Sequence, residues 1–168
     1  LCAQFGWYGA SGLGRAVDAL LEKKTGVANV TFAELHARTG KELRVTAVCV
    51  NTGEQLYFDR FRSADLAVSR AVQASAAIPF FFRPVALDDG RVYVDGSLAR
   101  WLPMDAFVDS PGATLGVSVG RGGHASSVTP RAKLESLPEF AAQMLAIMLA
   151  SATGALDDYA IDAAHADL

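Results

Sequence analysis

Residues 43–50 read LRVTAVCV, a β-branched and apolar run with little polar alternation. Such a run reads as a strand buried on both faces, which needs a cover on each side. The neighbouring segments can supply it. Residues 15–24 carry an apolar stripe at Ala16, Leu20 and Leu21, and Gly26 stops the helix they form. Gly9 to Gly14 ahead of it reads as a loop. Thr31 with Glu34 is a capping box that starts a short helix ending near Gly40. Residues 66–75 read as a helix, with Ser63 or Asp65 as its cap and Pro79 as its breaker. Residues 55–59, 91–94 and 113–119 read as further strands, and 103–108 as one helical turn or more. Short strands alternating with helices imply an α/β sheet with helices on both faces. Ligands of such sheets bind beyond the strand ends.

Composition sets the outer limits. Hydrophobic residues make up 51% and charged residues 20% of the 168, enough for one compact domain with a core. A net charge of −3 with scattered Lys and Arg argues against nucleic acid and against a polybasic membrane anchor. His36, His124 and His165 show no metal-ligand spacing, so no metal is expected. Cys49, inside the apolar run, reads as a small buried side chain, and Cys2 sits at the terminus. No stretch reaches the roughly 18 apolar residues that span a bilayer. No signal peptide is visible, and no compartment is assigned.

The most informative stretch, residues 72–103, reads VQASAAIPFFFRPVALDDGRVYVDGSLARWLP. Asp95 and Gly96 follow the β-type run 91–94, which places a carboxylate where a strand ends and a turn begins. Three further phrases accompany it in order: TFAELHARTGKEL at 31–43 with NTGE at 51–54, ASAAIP at 74–79, and FRP at 82–84. Together with YVDG at 93–96 they resemble the second half of the patatin-like phospholipases. That resemblance implies a three-layer α/β/α sandwich, lipid ester substrates, no cofactor, and a Ser–Asp dyad whose base is Asp95, delivered by the Gly96 turn. A carboxylate within about 2.6–3.2 Å of a hydroxyl can take its proton and activate it. Departures lie at Ser97, where Gly or Ala is usual, and at Arg100-Trp101-Leu102 before Pro103, where Asn is common.

The family's nucleophile sits upstream of the Asp, in a Gly-x-Ser-x-Gly elbow after a strand. No such elbow precedes Asp95. The expectation is therefore a single patatin-like domain portion over 1–168, incomplete at its N-terminus. The Ser would come from outside these residues, from an upstream segment or a complementary chain. One Gly-x-Ser-x-Gly match exists, Gly116 to Gly120, centred on Ser118. Residues 121–130 make a poor helix after it, so a self-contained esterase using Ser118 is the weaker alternative. A non-catalytic remnant that binds lipid or protein is the other alternative. Phe80, Phe81, Phe82 and Trp101 are the candidates for an acyl pocket or for peripheral membrane contact. Residues 121–138, rich in Gly, Ser, Thr and Pro, are expected to form a mobile loop, and 139–168 a C-terminal helical segment whose apolar 139–152 stretch packs as core.

Overall fold

The computed structural model describes residues 5–100, 102–108 and 114–117, together with Pro138, Leu145 and Met148. The chain forms two compact units, Leu1–Gly96 and Ser97–Leu168. In chain order the elements are β1 (Gly6–Tyr8), α1 (Ser11–Thr25), α2 (Phe32–Thr39), β2 (Val45–Cys49), β3 (Gln55–Phe58), α3 (Val68–Ser75), β4 (Phe80–Phe82), β5 (Val85–Ala86) and β6 (Val92–Asp95). Two 3-10 turns follow, Gly96–Leu98 and Met104–Phe107. The fold mixes helices and sheets as the sequence implies, with no closed barrel among the described residues.

Local signals fix the helices of the first unit. Thr31 Oγ1 accepts the Glu34 N–H while Glu34 Oε2 accepts the Thr31 N–H, so the capping box forms at the start of α2. Gly26 and Gly40 end α1 and α2 in the left-handed conformation at φ 73° and 66°. α1 starts earlier than its apolar stripe suggests. Its N-cap, Ala10, offers no side-chain acceptor, so the 9–14 stretch carries no start signal, and Ser11 to Gly14 are helical rather than loop.

The larger sheet runs β3-β2-β6-β5, with every neighbour antiparallel. α3 packs on it, contacting β2 and β6, and α1 packs on α3. Small residues bring these layers close. Ala71, Ala74 and Ala77 have no exposed surface, and they meet Ala47, Cys49 and Tyr93 in the core. Gly14 does the same between the helices, because a Cβ there would lie 1.4 Å from Gln73 Nε2.

β2 differs from its sequence reading. Ala47 and Cys49 are buried, but Val45, Thr46 and Val48 are only half-buried. The strand thus buries one face fully and the other partly, and its run of apolar residues does not mark a strand enclosed on both sides. A second, parallel pair joins β1 to β4, with Gly6 opposite Phe80 and Tyr8 opposite Phe82. β4 and β5 sit between Pro79 and Gly90, a stretch to which the sequence assigns no strand.

In the second unit, Arg100 Nη1 pairs with Asp105 Oδ1 at 2.6 Å beside the Met104–Phe107 turn. Residues 114–117 hold no strand, and Leu115 and Val117 are exposed. The other residues of the strand expected over 113–119 lie outside the described ones. The mobile loop expected over 121–138 lies outside the described residues except for Pro138, which is helical. Of the helix expected over 139–152, Leu145 and Met148 are described, and both are helical.

Candidate active site at the end of strand β6

β6 is held at its C-terminal end by β2 and by the chain leaving α3. Ala47 lies opposite Asp95 in the ladder with β2. The Asp95 N–H donates to the Ala77 carbonyl at 3.0 Å, which ties the strand end to the chain leaving α3. Gly96 then passes so close to β2 that a Cβ would meet Thr46 Cγ2 at 2.6 Å and the Thr46 carbonyl oxygen at 2.7 Å. Only glycine fits there without parting the strands. The Asp-Gly pair is therefore a close-packed strand end, and the Asp95 carboxylate is half-buried there.

The start of β6 is fixed by polar contacts. The Tyr93 hydroxyl donates to Asp89 Oδ2 at 2.5 Å, and the Arg91 N–H donates to Asp89 Oδ1 at 3.0 Å. Burial, together with the Asp89 carboxylate, pushes the Tyr93 phenol up to about 12. Burial pushes Asp89 up as well, but the Tyr93 hydroxyl, the Arg91 N–H and the Arg91 charge outweigh it and hold Asp89 below its ordinary value. Past the end of β2, Asn51 Oδ1 accepts the Val92 N–H at 2.9 Å and extends the ladder through the expected 51–53 turn.

Side chains alternate across a strand. Tyr93 lies in the core against Phe58, their ring centroids 5.2 Å apart, and Asp95 shares that face. Val92 and Val94 face the other way. With Val48 and Val50 they floor an apolar hollow of about 550 Å³, walled by Pro79 and Phe80. The hollow falls within the size range of small-ligand pockets. A smaller one of about 280 Å³ lies beside Arg62, Ser63, Asp65 and Asp89.

The expected site residues are thus partly assembled. Asp95 and Gly96 stand together. Phe80 lines the hollow, Phe81 is exposed, and Phe82 packs against the core. The three phenylalanines do not share one pocket, and the hollow opens on the face of β6 opposite Asp95. Trp101 and Ser118 lie outside the described residues. Sequence reading missed the valine floor, although the Val92, Val94 spacing of two signals it. Among the described residues no group of three His, Cys, Asp or Glu side chains could hold a metal ion.

The sequence profile of the patatin-like phospholipases matches residues 4–108. The chain belongs to the patatin-like phospholipase family. The patatin-like match runs from β1 to the second 3-10 turn, so it contains Asp95 and Gly96 and stops short of Ser118. An uncharacterized protein of Acanthamoeba polyphaga mimivirus is 28% identical over 118 residues, covering 70% of this chain. The chain spans 38% of the length of that viral protein. At the level of the family, patatin-like proteins are lipid hydrolases.

Proposed function

We propose that this chain supplies the base of a lipid acyl hydrolase of the phospholipase A type. The observation that carries the reading is the close-packed end of β6, where Gly96 has no room for a side chain and Asp95 is tied to Ala77. A base must hold its position relative to the hydroxyl it activates. In the proposed reaction a serine oxygen attacks the ester carbonyl carbon while Asp95 takes the serine proton. Backbone N–H groups stabilise the oxyanion. The tetrahedral intermediate collapses, the alcohol leaves with the proton from Asp95, and the acyl group stays on the serine. Water then attacks the acyl-enzyme with Asp95 again as base, and the fatty acid departs as the serine oxygen takes that proton back from Asp95. The serine is assigned to residues outside these 168, because no elbow precedes Asp95 and the one Gly-x-Ser-x-Gly match, at Ser118, follows it, the reverse of the order in the resembling family.

The test is phospholipid ester hydrolysis by the gene product that contains these residues, wild type against Asp95→Asn. A general base contributes about 10²–10⁴-fold, and a loss of that size is expected. Equal rates would refute the role of Asp95. The 168-residue chain alone should form no fluorophosphonate adduct; an Asp95-dependent adduct would return the nucleophile to this chain.

The exposed rings of Phe80 and Phe81, and the placement of the hollow opposite Asp95, favour one second reading. In it the chain binds lipid without turning it over. Lipid binding by the same gene product with no ester hydrolysis would select it.

A further inference from the structure

The parallel pair β1–β4 carries an unusual density of exposed rings. Phe5 is 70% exposed, Trp7 and Tyr8 57% each, Phe80 50% and Phe81 46%. The backbone holds the pair tightly. Gly6 lies so close to the Phe82 carbonyl that a Cβ would fall 2.2 Å from its oxygen, and the Arg83 N–H donates to the Tyr8 carbonyl at 2.8 Å. Rings emerge on both sides of this ribbon. Phe5 and Phe80 border the hollow, while Tyr8 and Phe81 pack together with centroids 5.2 Å apart. Phe80 adopts φ 66°, a conformation that a bulky side chain rarely takes. Strain of this kind persists where the surroundings impose it, and it concentrates at functional segments.

We propose that the β1–β4 edge is a docking surface for an anionic lipid bilayer, with these aromatic rings entering the interface. Trp7 and Tyr8 combine apolar area with a polar tip, and the Phe rings add apolar area, which suits the boundary between acyl chains and headgroups. Residues 5–9 and 78–84 contain no carboxylate, and their one charge is the exposed Arg83. That cation complements anionic headgroups although the whole chain carries −3. No helix among the described residues is long and apolar enough to cross a membrane. The surface deepens the lipid-hydrolase reading by naming where lipid is met, but it stands or falls without Asp95.

The test uses the 168-residue chain carrying Trp101→Phe, which leaves Trp7 as the one tryptophan. Vesicles of phosphatidylcholine are compared with vesicles that also contain phosphatidylserine. Trp7 emission should shift to the blue and be quenched by brominated acyl chains. In sedimentation with the mixed vesicles, Trp7→Ser with Phe81→Ser should weaken partitioning about tenfold or more. Arg83→Gln should weaken it severalfold on anionic vesicles and leave neutral ones unchanged. Both variants alter exposed side chains, and circular dichroism checks that they fold. Absent vesicle binding, or binding indifferent to the aromatic substitutions, overturns the proposal. So does a concentration-dependent dimer that the same substitutions abolish without any vesicle binding. In the gene product that contains these residues, vesicle binding that survives Asp95→Asn while hydrolysis fails separates this surface from the catalytic reading.

Discussion

Replacing Gly96 by alanine tests whether the end of β6 is held by contact with β2. The new methyl would sit 2.6 Å from Thr46 Cγ2 and 2.7 Å from the Thr46 carbonyl oxygen. Carbon atoms settle at about 3.5–4.0 Å, so the strands must part by about 1 Å. Thr46 cannot readily turn aside, because its Oγ1 accepts from Gln55 Nε2 at 2.7 Å, and the carbonyl oxygen belongs to the backbone. Overpacking of this kind costs about 1–3 kcal/mol. For a chain of this size that is a fall in Tm of about 3–10 °C. Thermal unfolding followed by circular dichroism measures it. Adding Thr46→Ser removes Cγ2 but not the carbonyl contact, so it should restore part of the loss. A Gly96→Ala protein that melts within about 1 °C of wild type would refute the argument. Full rescue by Thr46→Ser would show that the carbonyl contact contributes nothing.

Two glycines in one helix should respond with opposite sign. Gly14→Ala drives into Gln73, which Arg70 holds at 3.0 Å, and should destabilise by about 1–3 kcal/mol, whereas Gly12→Ala meets nothing within 4 Å and should be neutral or stabilising; urea unfolding of the two variants compares them directly. The Tyr93 phenol, raised to about 12, contributes stability that is complete below its unfolded value of about 10 and lost as pH climbs through its folded value. Asp89, held low, contributes stability present above about pH 4 and lost as pH falls through its folded value. Tyr93→Phe should therefore flatten the alkaline limb of the urea midpoint against pH and make the acid limb shallower; unchanged limbs would refute the coupling. Ala74→Leu, at a position with no exposed surface between α3 and the core, should cost about 1–3 kcal/mol, read as a lowered urea midpoint.

What the sequence disclosed was set by the range of the interactions. The Thr31–Glu34 box, the Gly26 and Gly40 stops and the β6 strand with Asp95 and Gly96 rest on contacts within a few residues or on a short motif. Ser11 to Gly14 were misread because α1 starts without a side-chain cap. β4 has no local signal because it is made by pairing with β1, more than seventy positions away, and prolines flank it at 79 and 84. The apolar run of β2 was misjudged because hydrophobicity alone does not say which face a layer covers. The same holds for the hollow, whose walls come from Phe5, β2, Pro79, Phe80, Pro84 and β6. The stretch ahead of Ser118 holds no strand at 114–117, although its small and β-branched residues resemble one, and Ser118 itself lies outside the described residues.

The alternation along β6 has a consequence for how this protein can change over time. Asp95 and Val94 are neighbours in the chain but belong to opposite sides of the sheet. Adding or deleting one residue within the strand would turn the carboxylate toward the valine floor and a valine toward α3. Length variation near the site is therefore confined to the turn around Asp88, Asp89 and Gly90, where Gly90 takes φ 76° in open space. Even there, Asp89 must keep its reach to Tyr93 and Arg91. Exchanges among apolar residues at Val92 and Val94 leave the alternation of β6 in place, whereas insertions and deletions have only that short corner in which to be absorbed.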